Sequence, residues 1–391
     1  MSAASRVPGP MPSLSWGPSG PISIPVELAN GHAIVPVRIQ DRDAALVLDT
    51  GSSTITIDQV WARDLGLESA SAPVEAVGTD RLRVRLATLN RVELGDIELG
   101  PLTAALLPLG PVIDAAGRVI HGTLGYDLFQ RFVVEIDYHE RRLRLWESDD
   151  VVAPVSGVAV PLELVHRVPV IRAWVRAPGG SLVEARLIVD LGSSALGVRL
   201  SASFTSAHTD ELAGMAGYSA PIGTGVGGPL MGRIGRLAEL RVGPLVFDEP
   251  TVGIAQESRG ALALPDFDGT VGAPVLERLL PILDYRRLRM ILQPAKAMDE
   301  AFRADASGLM LDSPAPEFAC GRVWFVVSES PAAEAGFVVG DQVAAVDGTS
   351  FRALGLDRVR GLLSIGGVER LVRVRRDGGE LDLRLRLRTL A

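Results

Sequence analysis

The chain has a single cysteine, Cys320, so it can form no intramolecular disulfide and no cysteine-built zinc site. Its five histidines (His32, His121, His139, His166, His208) are scattered, with no H-x-x-x-H or H-E-x-x-H pairing. A histidine metal centre is therefore not expected, and surface or hydrogen-bonded histidines are. No apolar run approaches the roughly 18 residues of a membrane-spanning helix. Aromatic residues make up only 5%, which leaves core volume to Leu, Val, Ile and Ala. Lysine is almost missing: Lys296 is the only one among 39 basic residues. The net charge of −8 excludes the basic stripe of a nucleic-acid binder. The first residues hold one Arg and no apolar block of about 7–15 residues, so they do not read as a secretory signal. The many Pro and Ser residues there suggest a flexible arm over 1–20. Cytoplasmic residence is the default expectation, with a periplasmic location as the alternative.

In contrast, Gly (42) and Pro (26) exceed one residue in six, and 47% of the chain is hydrophobic. This is the composition of a turn-rich, mostly β globular protein. At roughly 100–200 residues per domain, 391 residues make two to four domains. The chain also repeats itself. Residues 45–57 read ALVLDTGSSTITI and residues 186–198 read RLIVDLGSSALGV. Residues 121–145, HGTLGYDLFQRFVVEIDYHERRLRL, are echoed by 268–292, DGTVGAPVLERLLPILDYRRLRMIL. Between these landmarks lie VELGDIELG (92–100) and LRVGPLVFD (240–248), each a pair of short strands joined at Gly. Asp49 precedes Gly122 by 73 residues and Asp190 precedes Gly269 by 79. Matched landmarks in the same order imply two copies of one fold unit, 21–150 and 151–296. After them come a charged, helix-like linker, AMDEAFRADA (297–306), and a third unit at 307–391. The third unit ends in a hairpin around Asp377-Gly378-Gly379 and has one helix near 354–364.

The chemistry lies in Asp49-Thr50-Gly51-Ser52-Ser53 and Asp190-Leu191-Gly192-Ser193-Ser194. Each Asp ends an unbroken apolar strand, and the Gly two residues on permits a tight turn. Pseudo-symmetry would bring the two carboxyls side by side, where they cannot both ionise and must share a proton. Such a pair can activate a water for attack on a carbonyl and protonate the leaving nitrogen. On these residues, with Gly122-Thr-Leu-Gly125 and Gly269-Thr-Val-Gly272, the chain resembles the bacterial retropepsin-like aspartic proteases over about 22–294. The resemblance implies two fused β-barrel lobes with Asp49 and Asp190 as the catalytic dyad. It further implies that Gly51 and Gly192 give N–H groups to the inner carboxylate oxygens. Ser52 and Ser193 would bond the outer oxygens, and Thr50 would join interlocking bonds beneath them. Leu191 stands where a second Thr is expected, so the Thr50 hydroxyl is expected to lose its partner.

Each lobe of this kind carries a flap that closes over substrate. The candidates are 74–89, with its tip at Val77, Gly78 and Thr79, and 220–237, with Gly225, Gly227 and Gly228. The second contains a formal G-x-G-x-x-G, but Pro229 follows and no helix pattern opens there, so a dinucleotide loop is not expected. Residues 307–391 resemble a PDZ domain, on Ser307-Gly308-Leu309-Met310-Leu311 and SPAAEAGFVVGDQVAAVDG (330–348). By that resemblance Gly308, Leu309, Met310 and Leu311 would cradle a peptide C-terminal carboxylate.

The sequence therefore suggests an aspartic endopeptidase of peptide or protein substrates that needs no metal or cofactor and for whose catalysis a monomer is sufficient. Its PDZ domain would recruit substrate C-termini. The competing expectation, motivated by Leu191, is a catalytically weak or inactive peptide-binding adaptor. A statine-type inhibitor separates the two, since only an active dyad should bind it and lose turnover.

Overall fold

The computed structural model describes residues 20–67, 74–75, 83–147, 157–225, 227–257 and 260–390. Residues 1–19 of the expected arm and the first flap tip (Val77, Gly78, Thr79) lie outside them.

Strands dominate. Two sheets repeat one topology. In the first, the order is 74–75, 83–89, 102–107, 56–58, 122–124, 42–48, 32–39, 92–94, 97–98. In the second it is 217–225, 228–236, 251–255, 198–200, 269–272, 183–190, 168–176, 239–242, 245–248. The strands leading to the two aspartates lie in the middle of these sheets. Leu46, Val47 and Leu48, like Leu187, Ile188 and Val189, are all buried, as unbroken apolar runs require when both strand faces are covered. Each run pairs in parallel with a Gly-Thr strand, Leu46 to Gly122 and Leu187 to Gly269. Asp49 and Asp190 therefore emerge at equivalent strand ends. The hairpins 92–98 and 239–248 turn at Gly95 and Gly243, whose φ values of 59° and 57° suit glycine.

A third sheet joins the lobes. Its order is 22–25, 142–147, 132–137, 279–284, 289–294, 158–161. The pseudo-twofold axis passes between its two middle strands, where Val134 pairs with Leu283 and Glu135 with Ile282. One hydrophobic core runs through both lobes.

The third unit has its own six-stranded sheet and its own core. Its helix spans Phe351–Leu363 and breaks at Gly355. Its closing hairpin pairs Glu369–Arg376 with Gly379–Arg386 around Asp377 and Gly378, both at positive φ. The segment 297–306 forms no helix, contrary to its charged, helix-like pattern. Phe302 is buried in the lobe core, and Arg278 of the second lobe donates to the carbonyls of Ala297 (2.7 Å), Glu300 and Ala301 (3.1 Å). Helical backbone would have used those carbonyls itself.

Candidate active site

The Asp49 and Asp190 loops interdigitate at the pseudo-twofold axis. A methyl group added to Gly192 would stand 2.6 Å from Asp49 Oδ1, and one added to Gly51 would stand 3.0 Å from Asp190 Oδ1. Each glycine therefore leaves room for the other lobe's carboxylate. Behind the loops, Gly272 has no space for a side chain, because a Cβ there would lie 2.5 Å from Ser193 O. Gly51 N donates to Asp49 Oδ1 at 2.9 Å, and the N–H groups of Gly192 and Ser193 favour the charged form of Asp190. Burial, and then the charge of Asp190, push the Asp49 carboxyl up to about 7. Burial raises Asp190 too, but the Arg199 guanidinium and the two N–H groups oppose it.

Beneath the pair, Thr50 does not lose its partners. Its hydroxyl donates to Val189 O at 2.6 Å and accepts from Leu191 N at 3.0 Å. Both partners are backbone groups of the opposite loop, so they are indifferent to the Leu191 side chain. Leu191 is 1% exposed and packs in the main core. Leu191→Thr is accordingly expected to lower the melting temperature, because it removes core packing and buries a new hydroxyl, at a cost of about 1–3 kcal/mol. A higher melting temperature would show that the missing hydroxyl is a real defect.

The serines also depart from expectation. Ser52 Oγ donates to Thr54 O (3.1 Å) and accepts from Thr123 Oγ1 (3.2 Å), so it is turned away from Asp49. Ser193 offers Asp190 its backbone N–H in place of its hydroxyl. Two residues near the dyad carry no motif that would have revealed them. Arg199 Nη2 donates to Asp190 Oδ2 at 3.0 Å, and half-buried His32 places Nε2 3.1 Å from Ser194 Oγ, tying the first lobe to the second loop. Among the described residues, no three His, Cys, Asp or Glu side chains gather to hold a metal ion.

Residues 35–128 match the family model of aspartyl proteases, and residues 326–376 match that of PDZ domains. The chain thus joins a retropepsin-like aspartyl protease fold to a PDZ domain. Among solved structures, a retropepsin-like aspartic protease from Rickettsia conorii aligns at 24% identity, over 32% of this chain and 89% of that chain, with a TM-score of 0.24. No curated protein matches the chain.

The PDZ domain is docked on the protease lobes. Its Met310, Phe325 and Val327 pack against Ala220, Ile222 and Ile234 of the second-lobe flap hairpin. That hairpin pairs 217–225 with 228–236, and Gly225, Gly227 and Gly228 lie at its tip. The first-lobe helix Gly110–Ala116 lies against both the flap strand 217–225 and the PDZ strand 309–312. Asp114 accepts from Ser313 N, Ala315 N and Arg322, through its carbonyl and carboxylate, and Arg360 bridges Leu311 O to Asn30 Oδ1. The expected carboxylate cradle is also engaged. Asp305 accepts from Gly308 N at 2.5 Å and from Ser307 N at 3.1 Å, while Leu309 N donates to Ser307 Oγ. Of the four expected cradle residues, Gly308 and Leu309 thus spend their N–H groups within the chain. Met310 faces the flap, and Leu311 is held through its carbonyl by Arg360.

Proposed function

We propose that the chain is an aspartic endopeptidase that hydrolyses peptide bonds with a water activated between Asp49 and Asp190. The observation that carries this reading is the mutual seating of the two loops, in which Gly51 and Gly192 each back the other lobe's carboxylate. One chain supplies both loops, so catalysis needs no second copy. No helix among the described residues is long and apolar enough to cross a membrane.

The adaptor reading rested on a Thr50 hydroxyl without partners, and that hydroxyl has two. For the PDZ domain, recruitment of a C-terminal peptide requires Asp305 to release the Ser307–Gly308 loop. In the docked arrangement the domain braces the flap hairpin and the helix 110–116.

A working dyad holds one proton over two carboxyls. With Asp49 pushed up to about 7, that proton is retained at acidic pH and lost as pH rises through about 7. Peptide cleavage is therefore expected to fall as pH rises across that point. The experiment is a kcat/KM profile on a diverse peptide library; rates that stayed level far above neutrality would contradict the shared-proton reading.

A further inference from the structure

The two lobes differ at one strand position beside the dyad. In the first lobe Thr56 pairs with Thr123, and their hydroxyls lie 2.8 Å apart. Thr123 passes the chain on to Ser52 Oγ at 3.2 Å, and no charge enters it. In the second lobe the corresponding pair is Arg199 with Thr270. Arg199 Nε donates to Thr270 Oγ1 at 3.2 Å, and Nη2 donates to Asp190 Oδ2 at 3.0 Å. Two donors on neighbouring atoms fix the plane of the guanidinium. Its third nitrogen, Nη1, points at Gly223 of the flap strand, where a Cβ would come within 2.9 Å. The side chain is 19% exposed, so water screens the contact weakly.

Among the described residues, the elements packed around this group bring no competing charge. The strands 251–255 and 269–272, the flap strand 217–225 and the turn 190–194 carry one charged side chain between them, Asp190. The titratable Tyr218 of the flap strand interacts with Asp305 and Arg236. The other titratable groups at the pair are Asp49 and Tyr285, whose phenol is pushed well up by burial and by the Asp49 charge. The positive charge thus reaches Asp190 through a direct hydrogen bond and Asp49 only through its field.

We propose, resting on the endopeptidase reading, that Arg199 is a positioning residue that breaks the symmetry of the dyad, holding the negative charge on Asp190 and leaving the shared proton on Asp49. Asp190 is then the base. It takes a proton from water as the water oxygen bonds to the scissile carbonyl carbon, while Asp49 gives its proton to the carbonyl oxygen. In the second step the C–N bond breaks. Asp190 passes its proton to the leaving nitrogen, and Asp49 recovers one from a hydroxyl of the tetrahedral carbon. Water is consumed, an acid and an amine leave, and the dyad returns to its starting state.

The test uses the full chain and two readouts, the pH profile of kcat/KM and the carboxyl titration of Asp49 and Asp190 by ¹³C NMR. In the wild type Asp190 is expected to ionise at lower pH than Asp49. In Arg199→Gln its ionisation, and with it the acid limb of the profile, should move up by about one pH unit or more, the effect of removing an opposite charge at contact. The alkaline limb should follow by less, because Asp49 feels Arg199 only at longer range. Arg199→Lys, which keeps the charge, should restore most of the wild-type order, and it serves as the reference if the Gln variant is poorly folded. An acid limb and titration order unchanged in a folded Arg199→Gln, or a Lys variant that behaves like Gln, would overturn the assignment. A wild type that titrates asymmetrically but cleaves nothing would sink the endopeptidase reading and leave the Arg199 assignment standing.

Discussion

Asp49→Asn and Asp190→Asn are each expected to cut peptide hydrolysis by ~10²–10⁴-fold, the contribution of one positioned acid or base, in a chain that stays folded. An amide keeps the shape of the carboxyl but can neither release nor accept the shared proton. The two variants are not equivalent in stability. Asp49 has its folded pKa raised to about 7, so between the unfolded value near 3.8 and 7 the folded state binds a proton that the unfolded chain has released. Stability of the wild type therefore falls as pH rises through that window. Asp49→Asn removes the cost and should melt higher than the wild type above neutral pH. Asp190→Asn should gain less, because it leaves the half-buried Arg199 beside a neutral amide. Near-wild-type turnover in either variant would remove the dyad from the mechanism.

The lobes and their loops were legible because every landmark is local and occurs twice. An apolar run closing in Asp-x-Gly records a buried central strand, and Gly-Thr-x-Gly records the strand that pairs with it. Arg199 was hidden by loop length. Thr56 follows Asp49 by seven residues, whereas Arg199 follows Asp190 by nine, so the equivalent strand positions do not align by counting. The expected loss at Thr50 does not occur because its hydroxyl needs no side-chain partner. Its partners are a carbonyl and an N–H, which every sequence supplies at every non-proline position. The PDZ loop misled in a related way. The motif predicts N–H groups that face a carboxylate, and they do, but the carboxylate is Asp305, two residues ahead of it.

The segment 297–306 supports the second large expectation. A chain ended at Lys296 should lose ~3–5 kcal/mol of stability relative to one ended at Ala306, the cost of deleting a buried Phe from a core. Phe302 is that residue, and its ring lies 3.8 Å from the Arg278 guanidinium. The shorter chain also strips Arg278 of the carbonyls of Ala297, Glu300 and Ala301, and Arg236 of the carbonyl of Phe302. The chain ended at Ala306 keeps these contacts and loses the PDZ cover on Ala220, Ile222 and Ile234, together with the PDZ bonds to Asp114 and Asn30 of the first lobe. Both aspartate loops precede residue 200, and no described residue of 307–390 places an acid or base at the pair. Per folded molecule, the longer chain should therefore cleave short peptides at a rate comparable to the full protein. Urea melts of the two truncated chains, followed by short-peptide rates, decide the matter. Equal melts would show that 297–306 is a passive tether, and a folded chain to Ala306 without short-peptide cleavage would make the PDZ brace on the flap part of the active site.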